Sequence, residues 1–165
     1  MKRYLALTMA LFTTATVGLA QTSGTLTIQG TVASVVSIAV ATVSGYNTLD
    51  IANGVTAQTV ANITEKCNHK PGYTVTMTSQ NAGASGGSLF LDDISSGGSG
   101  NDTVPYSLMY NGSPVTFASG SATLTDASGK TPQAGTSKAL AVTIAGTWVN
   151  AATYSDTLTF TISGK

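Results

Sequence analysis

The chain has 165 residues, only 8% of them charged, and its seven basic residues balance seven acidic ones. That balance excludes the basic patch that nucleic acid or an anionic membrane surface requires. The wealth of Gly, Thr, Ser, Ala and Val suits β-strands joined by small-residue turns and argues against long helices of Glu, Lys and Leu.

Residues 1–20 read as a secretory signal peptide, with Lys2 and Arg3 as the basic start, Tyr4 to Val17 as the apolar stretch and Gly18-Leu19-Ala20 as a small-x-small cleavage site. Thr8, Thr13, Thr14 and Thr16 make this stretch too short and too polar for an uncut anchor of roughly 20 apolar residues. Cleavage before Gln21 removes two of the seven basic residues, leaving five against seven acidic ones and a net charge of −2. What remains is one domain's worth of chain: an N-terminal extension over 21–33 and a β-sandwich domain over 34–165. So few charges leave a weakly repelling surface, which suits a protein that ends up assembled.

The extension carries Leu26, Ile28, Gly30 and Val32 at every second position of TLTIQGTV, a period-2 pattern with one face in need of a core. That core lies either in its own sheet or in a neighbouring molecule. The same parity runs on through Val36, Ile38 and Val40, so residues 26–43 form two strands or one long bent one, with a break expected near Ala33 or Ser34. Gly30 marks either a bulge or a close approach to another backbone. Residues 45–54 are mostly turn material, 58–67 a strand, and Asn68-His69-Lys70-Pro71-Gly72 a tight connection.

In YTVTMTS, Tyr73, Val75 and Met77 alternate with threonines, as in a half-buried strand. The glycine-rich stretch 81–100 holds a short apolar island, Leu89-Phe90-Leu91, expected to be a strand or docked loop, and a flexible tip at SSGGSG. Asn111-Gly112 joins the expected strands 104–110 and 114–118 in a hairpin. A short strand over 122–125 and a turn over 126–129 follow.

The chain closes on two strongly patterned runs. In KALAVTIAGTWV, Leu140, Val142, Ile144, Gly146 and Trp148 share a face; in YSDTLTFTI, Tyr154, Asp156, Leu158, Phe160 and Ile162 share another. These are the expected central core strands, with Trp148 packed inside. No segment has a helical period, and short strands at regular spacing predict an all-β sandwich.

Catalytic chemistry finds little footing. His69 is the sole histidine and no motif surrounds any serine, so a Ser-His-Asp arrangement is not expected. Cys67 and His69 are two metal ligands where zinc needs three or four. Asp92, Asp93, Asn101 and Asp102 match no calcium loop. Tyr46, Tyr106, Tyr110 and Trp148 are the candidates for a sugar-stacking platform. The lone Cys67 cannot form an intrachain bridge and is read chiefly as a buried thiol, with intermolecular pairing or metal binding as alternatives. No cofactor, metal or catalytic residue is expected.

Three segments together resemble the spore coat protein U family, which includes the pilins of archaic chaperone-usher pili. They are the ending Ala152-Thr153-Tyr154-Ser155-Asp156-Thr157-Leu158-Thr159-Phe160-Thr161-Ile162, the run from Cys67 through Gly72-Tyr73-Thr74-Val75-Thr76-Met77, and Val104 to Tyr110. The resemblance implies an incomplete immunoglobulin-like β-sandwich that lacks its last strand. It implies secretion to the periplasm, a chaperone that lends a strand, and an outer-membrane usher that exchanges that strand for the N-terminal extension of the next identical or related subunit. The product is a surface pilus serving adhesion or biofilm formation. Leu26, Ile28, Gly30 and Val32 would then face an acceptor groove lined by Tyr154, Leu158, Phe160 and Ile162. Family pilins carry an earlier cysteine that pairs with the counterpart of Cys67, and residues 34–43 contain none. The alternative is a secreted spore-coat or cell-surface sandwich that forms no pilus.

Elementary energetics fit strand exchange. Burying Leu26, Ile28 and Val32 contributes roughly 1.5 to 3 kcal/mol each, while ordering the backbone costs roughly 1 to 2 kcal/mol per residue. The strand therefore also needs a hydrogen-bonded ladder, at roughly 0.5 to 1.5 kcal/mol per bond, and a groove already formed, both of which strand addition supplies.

Overall fold

The computed structural model of the chain describes residues 23–84, 86–95 and 102–165. The signal peptide expected over 1–20 and nearly all of the expected flexible tip lie outside these residues. The chain divides into two units, Met1–Val32 and Ala33–Lys165. In the first, residues 23–32 form no regular secondary structure, and Leu26, Ile28 and Val32 are 85%, 87% and 88% exposed.

The second unit is a two-layer antiparallel β-sandwich. Its strands are β1 (Val36–Thr42), β2 (Gly54–Cys67), β3 (Tyr73–Ser79), β4 (Phe90–Asp93), β5 (Thr103–Tyr110), β6 (Ser113–Pro114), β7 (Ser121–Ala127), β8 (Thr136–Ala145), β9 (Tyr154–Ser155) and β10 (Leu158–Gly164). The larger sheet runs β1-β2-β8-β5-β4-β9, with β6 on β5; the smaller runs β10-β3-β7. Alternation decides what each strand buries. Ala61 and Ile63 of β2, Leu140, Val142 and Ile144 of β8 and Leu108 of β5 face Met77 of β3 across the core. Cys67, Tyr73 and Val75 make a smaller cluster, against which Val36, Ile38 and Ile162 pack.

Local chemistry explains the turns. At Asn111-Gly112 both residues take positive φ, 49° and 81°, the two-residue geometry whose twist matches the flanking strands. At the 68–72 connection Gly72 has φ 102°, and a Cβ there would overlap the Ala127 carbonyl.

Several expectations change. The first strand of the sandwich begins at Val36 with no strand before it among the described residues. A one-turn helix, α1 (Gln80–Ala84), is unforeseen; the Ser79 hydroxyl accepts the Ala82 N–H at 2.9 Å and caps it, and one turn is too short to show a period. The expected strand over 114–118 shrinks to β6, because Val115 bonds back to Leu108 and the chain then turns at a bridge between Ala118 and Ser121. Leu140, Val142 and Ile144 are buried as read, but β8 stops at Ala145. There Gly146 packs against Ala52 and Asn53, Thr147 bonds Ile51, and Trp148 is left 97% exposed. Trp148 is not a core residue. The YSDTLTFTI run is not one central strand either: it breaks between β9 in one sheet and β10 at the edge of the other.

Candidate functional site

Among the described residues β1 pairs with β2 alone and β10 with β3 alone, so each sheet offers an open edge on the same side of the sandwich. The edges meet where Val36, Ile38 and Ile162 share one cluster, and part toward Thr42 and Leu158. Between the parted edges lies a cavity of about 280 Å³, with Val40, Leu49, Val60, Leu140, Leu158 and Phe160 in its walls. Val40, whose side chain the strand alternation points at the core, is 50% exposed here. A second cavity of about 430 Å³, walled by Tyr46, Thr48, Ile51, Ala152 and Tyr154, shares Tyr46, Leu49, Leu91 and Asp156 with the first. Together they form one trough, mainly apolar along the first cavity and mixed along the second, beside two backbone edges that still have N–H and C=O groups to offer a strand.

Asp156 stands where the two cavities join. Its carboxylate accepts hydrogen bonds from the Tyr106 hydroxyl at 2.5 Å, the Ser79 hydroxyl at 2.6 Å and the Asn81 N–H at 3.2 Å. Asn81 adds a second hold on this segment, its side-chain amide donating to the Ser155 and Phe90 carbonyls, both at 2.9 Å. Burial, and then the bond to Asp156 and its charge, push the Tyr106 hydroxyl far above the ordinary phenol range.

A second polar cluster lies toward the closed end. Glu65 is fully buried, with Lys138 at 2.8 Å and hydrogen bonds from the hydroxyls of Tyr110 at 2.6 Å, Thr125 at 2.7 Å and Tyr73 at 2.8 Å. Burial alone would raise its carboxyl, but the bonds from Lys138, Tyr110, Thr125 and Tyr73 outweigh it and hold it below the ordinary value. Tyr73 is pushed up to about 12, by burial first and by the bond to Glu65 second. These bonds tie β2, β5 and β8 of one sheet to β3 and β7 of the other.

Of the residues proposed from sequence for an acceptor groove, Leu158 and Phe160 line the first cavity and Tyr154 the second, while Ile162 packs in the closed end. Leu26, Ile28, Gly30 and Val32 belong to the other unit and lie in no strand. The sequence reading missed Val40 and Leu49 as lining residues. It also missed the role of Asp156, whose partners are some fifty and seventy-five residues away and leave no local pattern.

Most of the remaining candidates are tied up structurally, while Tyr46 and Trp148 of the sugar-platform candidates are exposed. His69 Nε2 lies 2.6 Å from the Ser34 hydroxyl, and its Nδ1 side is occupied by Gly164. Beside it Asn68 accepts the Val35 N–H at 2.8 Å and donates to the Ala33 carbonyl at 2.7 Å. The serine, histidine and asparagine thus fasten the start of β1 to the 68–72 turn. Cys67 is buried, with its thiol toward the Gly72 carbonyl. Tyr106 and Tyr110 point their hydroxyls at Asp156 and Glu65, which takes both out of a sugar platform. Asp93 and Asp102 accept backbone N–H groups of Ser95 and Asn150, and Asn101 lies outside the described residues. Among the described residues no three His, Cys, Asp or Glu side chains gather where they could hold a metal ion.

A scan against protein-family models and a search of curated proteins find no match to this chain.

Proposed function

We propose that this chain is a non-enzymatic structural subunit of a surface pilus, polymerised by strand exchange. Its sandwich takes up the N-terminal extension of the next copy, with Leu26, Ile28 and Val32 seated in the trough and Gly30 passing close to its floor. A periplasmic chaperone holds the trough before assembly and an outer-membrane usher drives the exchange, bringing the polymer to the cell surface for adhesion or biofilm formation. One observation carries the reading: among the described residues the sandwich has an apolar trough between two sheet edges left unpaired, and the same chain carries an exposed segment whose apolar residues alternate. β-strand addition joins such a pair through main-chain bonds and alternate side-chain pockets.

Deletion of residues 21–33 tests this. Co-expressed with its chaperone, the shortened subunit remains monomeric or chaperone-bound, whereas the full chain gives polymers. Polymers from the shortened chain would overturn the reading.

A further inference from the structure

The walls of an apolar trough gain by closing on each other, since that buries Leu158, Phe160, Val40 and Leu49 at no ordering cost to a second chain. A fixed groove therefore needs its walls anchored. The β10 wall reaches the larger sheet at β9, which pairs with β4 through Tyr154 and Ser155, and then at Asp156. Here a carboxylate interrupts a mostly apolar lining, a placement that costs free energy unless the charge is well bonded. It is well bonded, and to both layers: Tyr106 reaches it from β5 of the larger sheet, and Ser79 and Asn81 from the end of β3 and the start of α1. Asp156 borders both cavities, and its bonds fix the start of the β10 wall against β5, β3 and α1 where the two cavities join.

We infer that Asp156, through Tyr106, is a positioning residue for strand uptake: it fixes the β10 wall of the trough against the larger sheet, so that an incoming strand meets that wall already in place. The inference rests on the proposed function and names the device that makes the site receptive. Preorganisation lowers the cost of binding, and a groove that must first reopen binds slowly. Loss of this anchor therefore shows in the association rate more than in the stability of the sandwich.

The test uses a fluorescent peptide of residues 23–34, SGTLTIQGTVAS, added to the full chain, with association and dissociation rates read separately and urea midpoints measured alongside. Tyr106→Phe removes one hydroxyl and no apolar surface, and Asp156→Asn keeps the side-chain volume. Each is expected to slow peptide association by about tenfold, the scale of one lost charge-assisted hydrogen bond. Dissociation stays close to wild type, and the Tyr106→Phe unfolding free energy falls by less than the slowing of association converts to. Wild-type association rates in both variants would overturn the inference while leaving the trough as the acceptor site, as would slowing that only tracks lost stability. A wild-type chain that binds no peptide would overturn the proposed function and this inference together.

Discussion

The Glu65 carboxylate and the Lys138 ammonium lie 2.8 Å apart inside the sandwich, with Glu65 wholly shielded from water and Lys138 nearly so. Hydroxyls of Tyr73, Tyr110 and Thr125 complete the shell around the acid, and the Thr125 oxygen also receives the lysine at 2.6 Å. A pair of this kind is held by its full set of partners, and removing one member strands the other.

Lys138→Met is expected to lower unfolding free energy by about 3 kcal/mol, the low end for breaking a buried pair, because part of the lysine still touches solvent. Chemical denaturation measures it. A change below about 0.5 kcal/mol, the scale of an exposed substitution, would show that the network carries no weight.

The same acid gives a pH dependence of known sign. The Glu65 carboxyl titrates lower in the folded chain than its ordinary 4.5, so the unfolded chain takes up the proton first. Its contribution is present above about 4.5 and is lost as pH falls through the lower folded value. Urea midpoints should drop through that acid window in the wild type and follow a flatter course in Glu65→Gln.

Cys67 stands opposite Val36 in the β1–β2 ladder. The Cys67 N–H goes to Thr131, while Asn68 donates to the Val35 carbonyl, so Val36 and Cys67 form the non-hydrogen-bonded pair next along. Such pairs sit about 4.5 Å apart at Cα, within reach of a disulfide. Val36→Cys is therefore expected to close a bridge under oxidising conditions, with loss of both free thiols on titration and about 2 to 4 kcal/mol of added stability. Two thiols that stay reactive in the oxidised, folded protein would contradict the register.

Trp148, in phase with buried neighbours by sequence, is exposed, and Trp148→Ser should change stability by no more than about 0.5 kcal/mol. A core tryptophan would cost about 3 to 5 kcal/mol on truncation. Thermal melting separates the two outcomes.

Trp148 also shows where sequence reading stopped. Alternation located β3, β5 and the buried face of β8 because each strand's period is set by its own residues. It could not see β8 end at Ala145, since the cause is a close approach of Gly146 to Ala52 and Asn53, some ninety residues earlier. Nor could it see that Tyr154 and Leu158 fall in different sheets with Asp156 in the break between them, where Ser79, Asn81 and Tyr106 bond it. Leu158 and Phe160 were legible as a face in need of partners. That β10 pairs with β3 alone among the described residues required knowing the order of the sheets.

The most direct measurement of the central claim is a photocrosslink. A benzophenone amino acid replaces Ile28 in chains mixed from light and heavy isotope cultures, assembled with chaperone, and the crosslinked peptides are located by mass spectrometry. Links are expected from position 28 to residues of β1, β10 or the 152–157 wall, between light and heavy chains. Links confined within single chains, or to surfaces away from the trough, would contradict it.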